Sequence, residues 1–454
     1  MSSTPIPLPA RFDTNGPRYT SYPTADRFTP AFGAADLRQA LARRRPGPLS
    51  VYVHIPFCES VCYYCACNKI VTKHHDRAGP YLDLLAKETA LYREAFGMPQ
   101  PVTQLHLGGG TPTFLSDAEL SRLMAMLTSA FPLADGAEVS IEVDPRTADA
   151  DRLAHLRGLG FNRLSFGVQD FDPAVQQAVH REQSFLSVAA LIHAARSLGF
   201  VSTNVDLIHG LPCQTPESFA RTLGQVTALR PDRIALYAYA HLPERFKPQR
   251  RIVSADLPDG AARLAMVREA RRVFGDHGYD LIGMDHFALA GDPLAVAKRE
   301  GRLHRNFQGY STQPDCDLVG LGVSAIGRLG PTYAQNAKTL PEYHAALDRD
   351  ELPVERGYAL DADDLARRDA IMALMCRGRL DHAEFERAHG GPFAERFATE
   401  LADLAPLAGM GLVDLAPDAV VVTPTGWEVV RAIAMVFDAH LRTARTSARY
   451  SRIA

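Results

Sequence analysis

The 454-residue sequence has no uninterrupted apolar run approaching the ~20 residues needed to cross a bilayer, so membrane insertion is not expected. It also lacks a charge excess: 49 Lys plus Arg stand against 52 Asp plus Glu, for a net charge of -3. That balance gives no whole-chain attraction to nucleic acid or an anionic surface, so neither is an expected partner. The opening, MSSTPIPLPARFDTNG, has neither the charged nor the apolar region of a secretory signal. A long low-complexity segment and an obvious long-period repeat are absent as well. With 46% hydrophobic and 22% charged residues, large-scale disorder is excluded. The expectation is a soluble, cytoplasmic chain, monomeric by default, long enough for two or three domains at ~100–200 residues each.

Cysteine is scarce, and its placement is informative. There are seven, an odd number, and four of them fall within ten residues: Cys58, Cys62, Cys65 and Cys67. Cys213, Cys316 and Cys376 are scattered and read as small hydrophobes or loop thiols. A secreted disulfide framework would spread its pairs over a shorter chain. One dense cluster reads instead as a metal or redox site. Zinc takes four tetrahedral ligands, commonly from two separated CxxC knuckles, and no second knuckle is present. Using Cys67, or His74 and His75, as the missing ligand would require an unusual loop. Three thiolates at Cys58-x3-Cys62-x2-Cys65 better suit a [4Fe–4S] cluster held through three irons, with the fourth open to a small chelating molecule.

The middle of the chain alternates short β-rich runs (50–56, 104–107, 138–143, 163–168, 202–208 and 233–238, with an extra one at 280–284) with helical stretches near 79–96, 117–130, 148–159, 184–199, 216–229 and 259–277. Such alternation predicts an α/β fold with a parallel sheet, here a complete or partial (β/α) barrel. In such folds the strands' carboxyl ends carry the chemistry. Those ends bear the cysteine loop, Gly108-Gly109-Gly110-Thr111-Pro112, Glu142 and Asp144, Gln169 and Asp170, Asp206 and His209, and Tyr237 and Tyr239. Residues 1–40 read as an irregular segment packing on the barrel, 41–339 as the catalytic domain, and 340–454 as a small, mostly helical, winged-helix-like domain. The last contains helical patterns at 362–376, 382–388 and 393–407, a hairpin, and a final helix at 427–442.

With Tyr64 as the aromatic, the Cys-x3-Cys-x-aromatic-Cys loop resembles the signature of the radical S-adenosylmethionine (SAM) enzymes. The resemblance narrows further. GPRYTSYPTA, VYVHIPFCESVCYYCACNKI, LHLGGGTPTFL, SIEVDPR, NRLSFGVQDF, NVDLIHGLPCQTPESF, YAYAHLPERF, GMDHFA, LHRNFQGYST and LGVSAIG, in this order, are similar to blocks of the oxygen-independent coproporphyrinogen III oxidases. Cys67 and the amino-terminal block separate that family from related haem chaperones. The resemblance implies oxidative decarboxylation of two propionates of coproporphyrinogen III to the vinyl groups of protoporphyrinogen IX, in porphyrin and haem biosynthesis. It starts from a 5′-deoxyadenosyl radical made from SAM, and needs an electron donor and an electron acceptor that the sequence does not identify.

By the same resemblance, Cys58, Cys62 and Cys65 are cluster ligands, and Tyr52, Gly109, Glu142 and Ile326 surround the SAM on the cluster. Tyr64, Gly110, Thr111, Gln169, Arg181, Asp206 and Ala240 match a second SAM position, and Cys67 is required without being a ligand. Physically, Glu142 and Asp206 can accept bonds from ribose hydroxyls, and Arg181 can pair with a carboxylate. His54 is expected to be a packed, hydrogen-bonded residue. The substrate's four carboxylates call for converging arginines. Arg18 leads the candidates, ahead of Arg305 and the 245–251 stretch. Arg377-Gly378-Arg379 departs from the family pattern, where relatives usually have Asn before an apolar residue, and brings the contacts between the carboxyl-terminal domain and the barrel into question.

Overall fold

A computed structural model describes residues 15–313 and 315–443. Residues 1–14 of the amino-terminal segment and 444–454 of the carboxyl-terminal domain lie outside the described residues. The main sheet has twelve strands. In chain order they are β1 (Leu49–Ile55), β2 (Val102–Gly109), β3 (Leu133–Val143), β4 (Arg163–Gln169), β5 (Ser202–His209), β6 (Arg233–Ala238), β7 (Tyr279–Gly283), β8 (His286–Leu289), β9 (Asp317–Leu321), β10 (Ile326–Leu329), β11 (Thr332–Asn336) and β12 (Val354–Ala359). Their spatial order is β12-β11-β10-β9-β1-β2-β3-β4-β5-β6-β8-β7.

From β9 to β6 every neighbouring pair is parallel, which makes seven parallel strands. β9 was not among the expected strands, and it adds a seventh to the six. The expected extra strand at 280–284 is β7, which pairs antiparallel to β8 at the sheet edge rather than extending the parallel set. The crossover helices form where apolar residues recur at helical spacing, and most start with a side-chain cap: Ser116, Asp149, Ser184, Thr215 and Asp259 each accept a backbone N–H of the first turn. Their apolar stripes cover the outer face of the sheet. Leu164, Phe166, Val168, Val205 and Leu207 lie buried under them.

Glu88, fully buried on helix Ala78–Phe96, ties that helix to the turn after β9. Its carboxylate accepts the Gly322 N–H (2.7 Å), the Asn336 side-chain amide (2.6 Å) and the Tyr343 hydroxyl (2.5 Å). The nearby Tyr81 hydroxyl donates to the His54 carbonyl at 2.7 Å, next to the cysteine loop.

The amino-terminal segment differs from its expected form in two ways. Residues Ala34–Arg43 are helical. Tyr19 and Tyr22 belong to the core of the carboxyl-terminal domain rather than to the barrel. The Tyr19 hydroxyl donates to Asp438 (2.9 Å), and the Arg431 guanidinium donates to the carbonyls of Gly16 and Pro17. The segment therefore joins the two parts of the molecule. In the carboxyl-terminal part, helices Ala362–Arg377, His382–His389 and Ala398–Gly409 pack with a three-stranded sheet of Arg379–Asp381, Val413–Leu415 and Ala419–Val422. The expected single helix at 427–442 is a 3-10 turn, Gly426–Val429, followed by Val430–Met435 and Ala439–Thr443. The unusual Arg377-Gly378-Arg379 triplet has a local explanation. Gly378 has φ +65°, and a Cβ there would come within 2.5 Å of the Trp427 ring. Arg377 and Arg379 pair with Glu384 (2.8 Å) and Asp418 (2.9 Å), both within this domain.

Candidate active site and the cysteine loop

Successive strand residues face opposite sides of a sheet. The inward residues run Gln104-x-His106 on β2, Glu138-x-Ser140-x-Glu142 on β3, Arg163-x-Ser165-x-Gly167-x-Gln169 on β4, Ser202-x-Asn204-x-Asp206 on β5 and Arg233-x-Ala235-x-Tyr237 on β6. Nearly all are polar or small, where a closed barrel of this kind would normally be packed with apolar layers. The result is one cavity of about 400 Å³ running from the cysteine loop down the inside of the sheet. Cys58, Cys62, Tyr64, Cys65, Cys67, Gly109, Gly110, Thr111, Glu142, Gln169, Arg181 and Asp206 all line it.

The cysteine loop begins in the short strand Phe57–Cys58, which pairs parallel with Ile70–Val71. The Thr111 hydroxyl donates to Cys58 Sγ (3.4 Å), and the guanidinium groups of Arg146 (3.6 Å) and Arg181 (3.4 Å) donate to Cys62 Sγ. Asp144 fixes both arginines, at 2.6 Å from Arg146 Nη2 and 3.2 Å from Arg181 Nη1. Burial pushes the Cys58 thiol up to about 11. A hydrogen bond with the Cys67 thiol is the strongest influence holding the Cys65 thiol down, at about 6. Cys67 itself is exposed.

The glycine run closes on this loop. Gly109 has φ +122°, a region open to glycine, and its N–H donates to Glu142 Oε2 at 3.1 Å. A Cβ on Gly110 would lie 2.6 Å from the Pro56 carbonyl oxygen, so only glycine allows β2 to meet the loop so closely. Asp206 accepts from Ser165 (2.9 Å) and Asn204 (2.9 Å), and burial followed by the nearby Glu142 raises its carboxyl to about 6. Arg181 donates to the Gly167 carbonyl as well as to Asp144. Gln169 sits at φ +70° with its amide oxygen buried and without a hydrogen-bond partner.

Three of the expected residues stand behind the wall rather than on it. The Tyr52 hydroxyl bonds His54 Nδ1 (3.0 Å) and its ring stacks on His106. The Ala240 carbonyl accepts from Gln249, whose amide also donates to the Tyr64 carbonyl (2.9 Å). Ile326 crowds Gly320, the register partner of Tyr52. His54 is buried, with Nε2 on the Asn68 carbonyl (2.9 Å), the packed residue expected of it. Asp144, expected only as a strand-end residue beside Glu142, proves to clamp Arg146 and Arg181. The polar alternation along β2–β6 was not expected either, although it was there to be read.

Comparison with known proteins decides the family. Residues 52–226 match the model of the radical SAM superfamily, and residues 360–429 that of the HemN C-terminal domain. The chain is 50% identical over 448 residues to the oxygen-independent coproporphyrinogen III oxidase of Escherichia coli (strain K12), covering 99% of this chain and 98% of that one. The chain belongs to the oxygen-independent coproporphyrinogen III oxidases. The enzyme of that name from Pseudomonas aeruginosa is 47% identical over 447 residues, covering 98% of this chain and 97% of that one. A solved structure of coproporphyrinogen III oxidase from Escherichia coli, described as a radical SAM enzyme, superposes with a TM-score of 0.91 at 49% identity, covering 94% of this chain and 100% of that one.

The residues present fit the cofactors of this oxidase family. Three thiols share one cavity wall, two of their sulfurs already receive N–H or O–H donors, and such donors favour thiolates and tune an iron–sulfur centre. The orphaned Gln169 oxygen is a buried polar atom left without a partner on the cavity wall beside the loop, where SAM would lie.

Arg18, expected to meet the substrate carboxylates, does not line this cavity. Its guanidinium pairs with Asp285 and lies 5.1 Å from the Tyr237 ring centroid. Arg305 is buried against Tyr310 and donates to the Arg18 carbonyl (3.3 Å). The 245–251 stretch is mostly exposed, with Arg251 over the Tyr63 ring. Arg18 is thus a fastener between the amino-terminal segment and the turn joining β7 to β8. Arg18→Ala leaves Asp285, whose side chain is only 10% exposed, with His286 (2.5 Å) as its remaining partner and one buried oxygen unpaired. The expected cost is roughly 2 kcal/mol of stability, read as a lower denaturation midpoint. Porphyrin affinity in the folded fraction should change little.

Proposed function

We propose that this chain carries out the reaction of its family: anaerobic conversion of the two propionates of coproporphyrinogen III that become the vinyl groups of protoporphyrinogen IX. Cys58, Cys62 and Cys65 hold a [4Fe–4S] cluster, and SAM binds beside it against Gly109 and Glu142, with Tyr52 and Ile326 supporting that wall. Tyr64, Gly110, Thr111, Gln169, Arg181 and Asp206 line a second, adjoining SAM position, with Ala240 supporting it from behind. The bound cluster and SAM supply a 5′-deoxyadenosyl radical, the hydrogen-abstracting agent of this chemistry.

The chain's own residues prepare the site for it. Asp144 holds Arg146 and Arg181 on Cys62 Sγ, so that thiolate is fixed and electrostatically favoured. Glu142, on the cavity wall, accepts the Gly109 N–H on Oε2 and has Oε1 3.6 Å from His106 Nε2. Asp206, braced by Ser165 and Asn204, can accept a ribose hydroxyl from one face of the cavity. Walls made by the inward side chains of five strands limit stray quenching by other C–H bonds.

The observation that carries this reading is the meeting of the three-thiol loop, the glycine run and the acid–arginine clamps on one polar cavity. The reaction also needs a one-electron donor and a terminal electron acceptor. We place the enzyme in the cytoplasm, as a monomer that binds no nucleic acid, with residues 41–339 as catalytic domain and 340–454 as the mostly helical domain beside it. Among the described residues no helix is long and apolar enough to cross a membrane. The test is an anaerobic assay with reconstituted protein, reductant, SAM and coproporphyrinogen III, read by chromatography of the oxidised porphyrins. Protoporphyrin is expected only when SAM and reductant are both present. Its absence in the complete mixture would overturn the reading.

A further inference from the structure

The far end of the cavity is as polar as the cluster end, and the chemistry described so far leaves it unused. Arg163 and Arg233 are the first residues of β4 and β6, so they form the floor opposite the cysteine loop. Gln169, at the other end of β4, is six positions along the strand from Arg163. At ~3.3 Å per residue the floor lies about 20 Å below the mouth. The remaining cavity arginines, Arg146 and Arg181, are committed to Asp144 and Cys62.

Both floor guanidiniums are nearly buried, with side chains 11% and 14% exposed. Each is anchored on one side only. Arg163 Nη2 donates to Glu138 (3.2 Å), and Arg233 Nε donates to both oxygens of Asp292 (3.0 Å each). The acids have further partners of their own: Glu138 also accepts from Thr312 (2.7 Å), and Asp292 caps the Leu294 N–H (2.7 Å). Arg163 Nη1 and Arg233 Nη2 are left buried with no hydrogen-bond partner. An unmade bond of that kind is costly for a charged group, and two neighbouring like charges deepen the cost. A carboxylate is the planar, two-oxygen anion that matches guanidinium donors.

We propose that Arg163 and Arg233 form a carboxylate subsite that anchors a substrate propionate not undergoing decarboxylation, on the ring farthest from SAM. The proposal rests on the oxidase reading above. A tetrapyrrole with carboxylates on opposite rings has the reach to join the two ends of the cavity, whereas SAM at the loop does not need the floor. The subsite would fix which propionates face the radical source by holding one that does not.

The test uses reconstituted holoenzyme and coproporphyrin III, the fluorescent oxidised form that keeps all four carboxylates, with its neutral tetra-amide as control. Arg163→Gln and Arg233→Gln should each weaken coproporphyrin III binding roughly ten- to a hundredfold, the worth of one charge-assisted pair. Tetra-amide affinity, SAM binding and iron content should stay unchanged. Arg163→Lys and Arg233→Lys, which keep the charge, should recover part of the loss. Wild-type affinity in both Gln variants would overturn the assignment, as would an equal loss for acid and amide. Competition by millimolar bicarbonate in wild type but not in the variants would assign the floor to a small inorganic anion instead and overturn the propionate subsite. These outcomes stand apart from the oxidase reading, which fails only if the wild-type holoenzyme itself forms no protoporphyrinogen.

Discussion

A Cys62→Ser variant is expected to lose both its iron and its activity while remaining folded. Anaerobically reconstituted wild-type protein should carry about four irons per chain, and the variant close to none. Product formation should fall at least ~10⁴-fold, equivalent to about 5.4 kcal/mol of barrier. The fold should survive because the arginines over Cys62 do not depend on its sulfur for a partner. Arg146 keeps Asp144 at 2.6 Å, and Arg181 keeps Asp144 and the Gly167 carbonyl. Far-UV circular dichroism alongside iron analysis checks both halves. Full iron in the variant would show that Cys62 is not a ligand.

The second large effect separates Cys67 from its neighbours. Cys67→Ser should hold its cluster and bind SAM normally, yet form product at least roughly a hundredfold more slowly, about 2.7 kcal/mol of barrier. The Cys67 side chain is hydrogen-bonded to the Cys65 thiol and otherwise exposed. A serine hydroxyl can keep the bond to Cys65 and preserve the loop, but it cannot act as a thiol. Loss of iron equal to that of Cys62→Ser would make Cys67 a ligand and break the assignment of three.

Much of the site was readable because it is local. The Cys58–Cys67 loop and Gly108, Gly109 and Gly110 are contiguous in sequence, and strand ends such as Glu142 and Asp206 follow from the alternation of strands and helices. What escaped was long-range. β9, Asp-Leu-Val-Gly-Leu, is short, is followed closely by further glycine, and gains its meaning only by pairing with β1 some 270 residues earlier. Tyr19 and Tyr22 lie in a turn-rich stretch, and nothing nearby in sequence says that they complete a core more than 400 residues away. The carboxyl-terminal helix looked continuous by its apolar spacing. It breaks around Asp438, whose carboxylate accepts from the Tyr19 hydroxyl and the Leu441 N–H.

Arg18 was favoured because it lacked an evident local role, and a distant acid, Asp285, supplied one. The floor arginines were overlooked for the opposite reason. They lie at strand starts, away from the carboxyl ends where this fold carries its chemistry, although the two-residue period through Arg163, Ser165 and Gly167 marks an inward face.

The most direct test of the central claim follows a hydrogen atom. Coproporphyrinogen III deuterated at the β-carbons of its propionates should be turned over anaerobically by the reconstituted enzyme with SAM and reductant, and the 5′-deoxyadenosine analysed by mass spectrometry. If this cavity brings a propionate to a SAM-derived radical, the 5′-deoxyadenosine gains one deuterium as the vinyl product forms. Vinyl product accompanied by unlabelled 5′-deoxyadenosine would contradict the account.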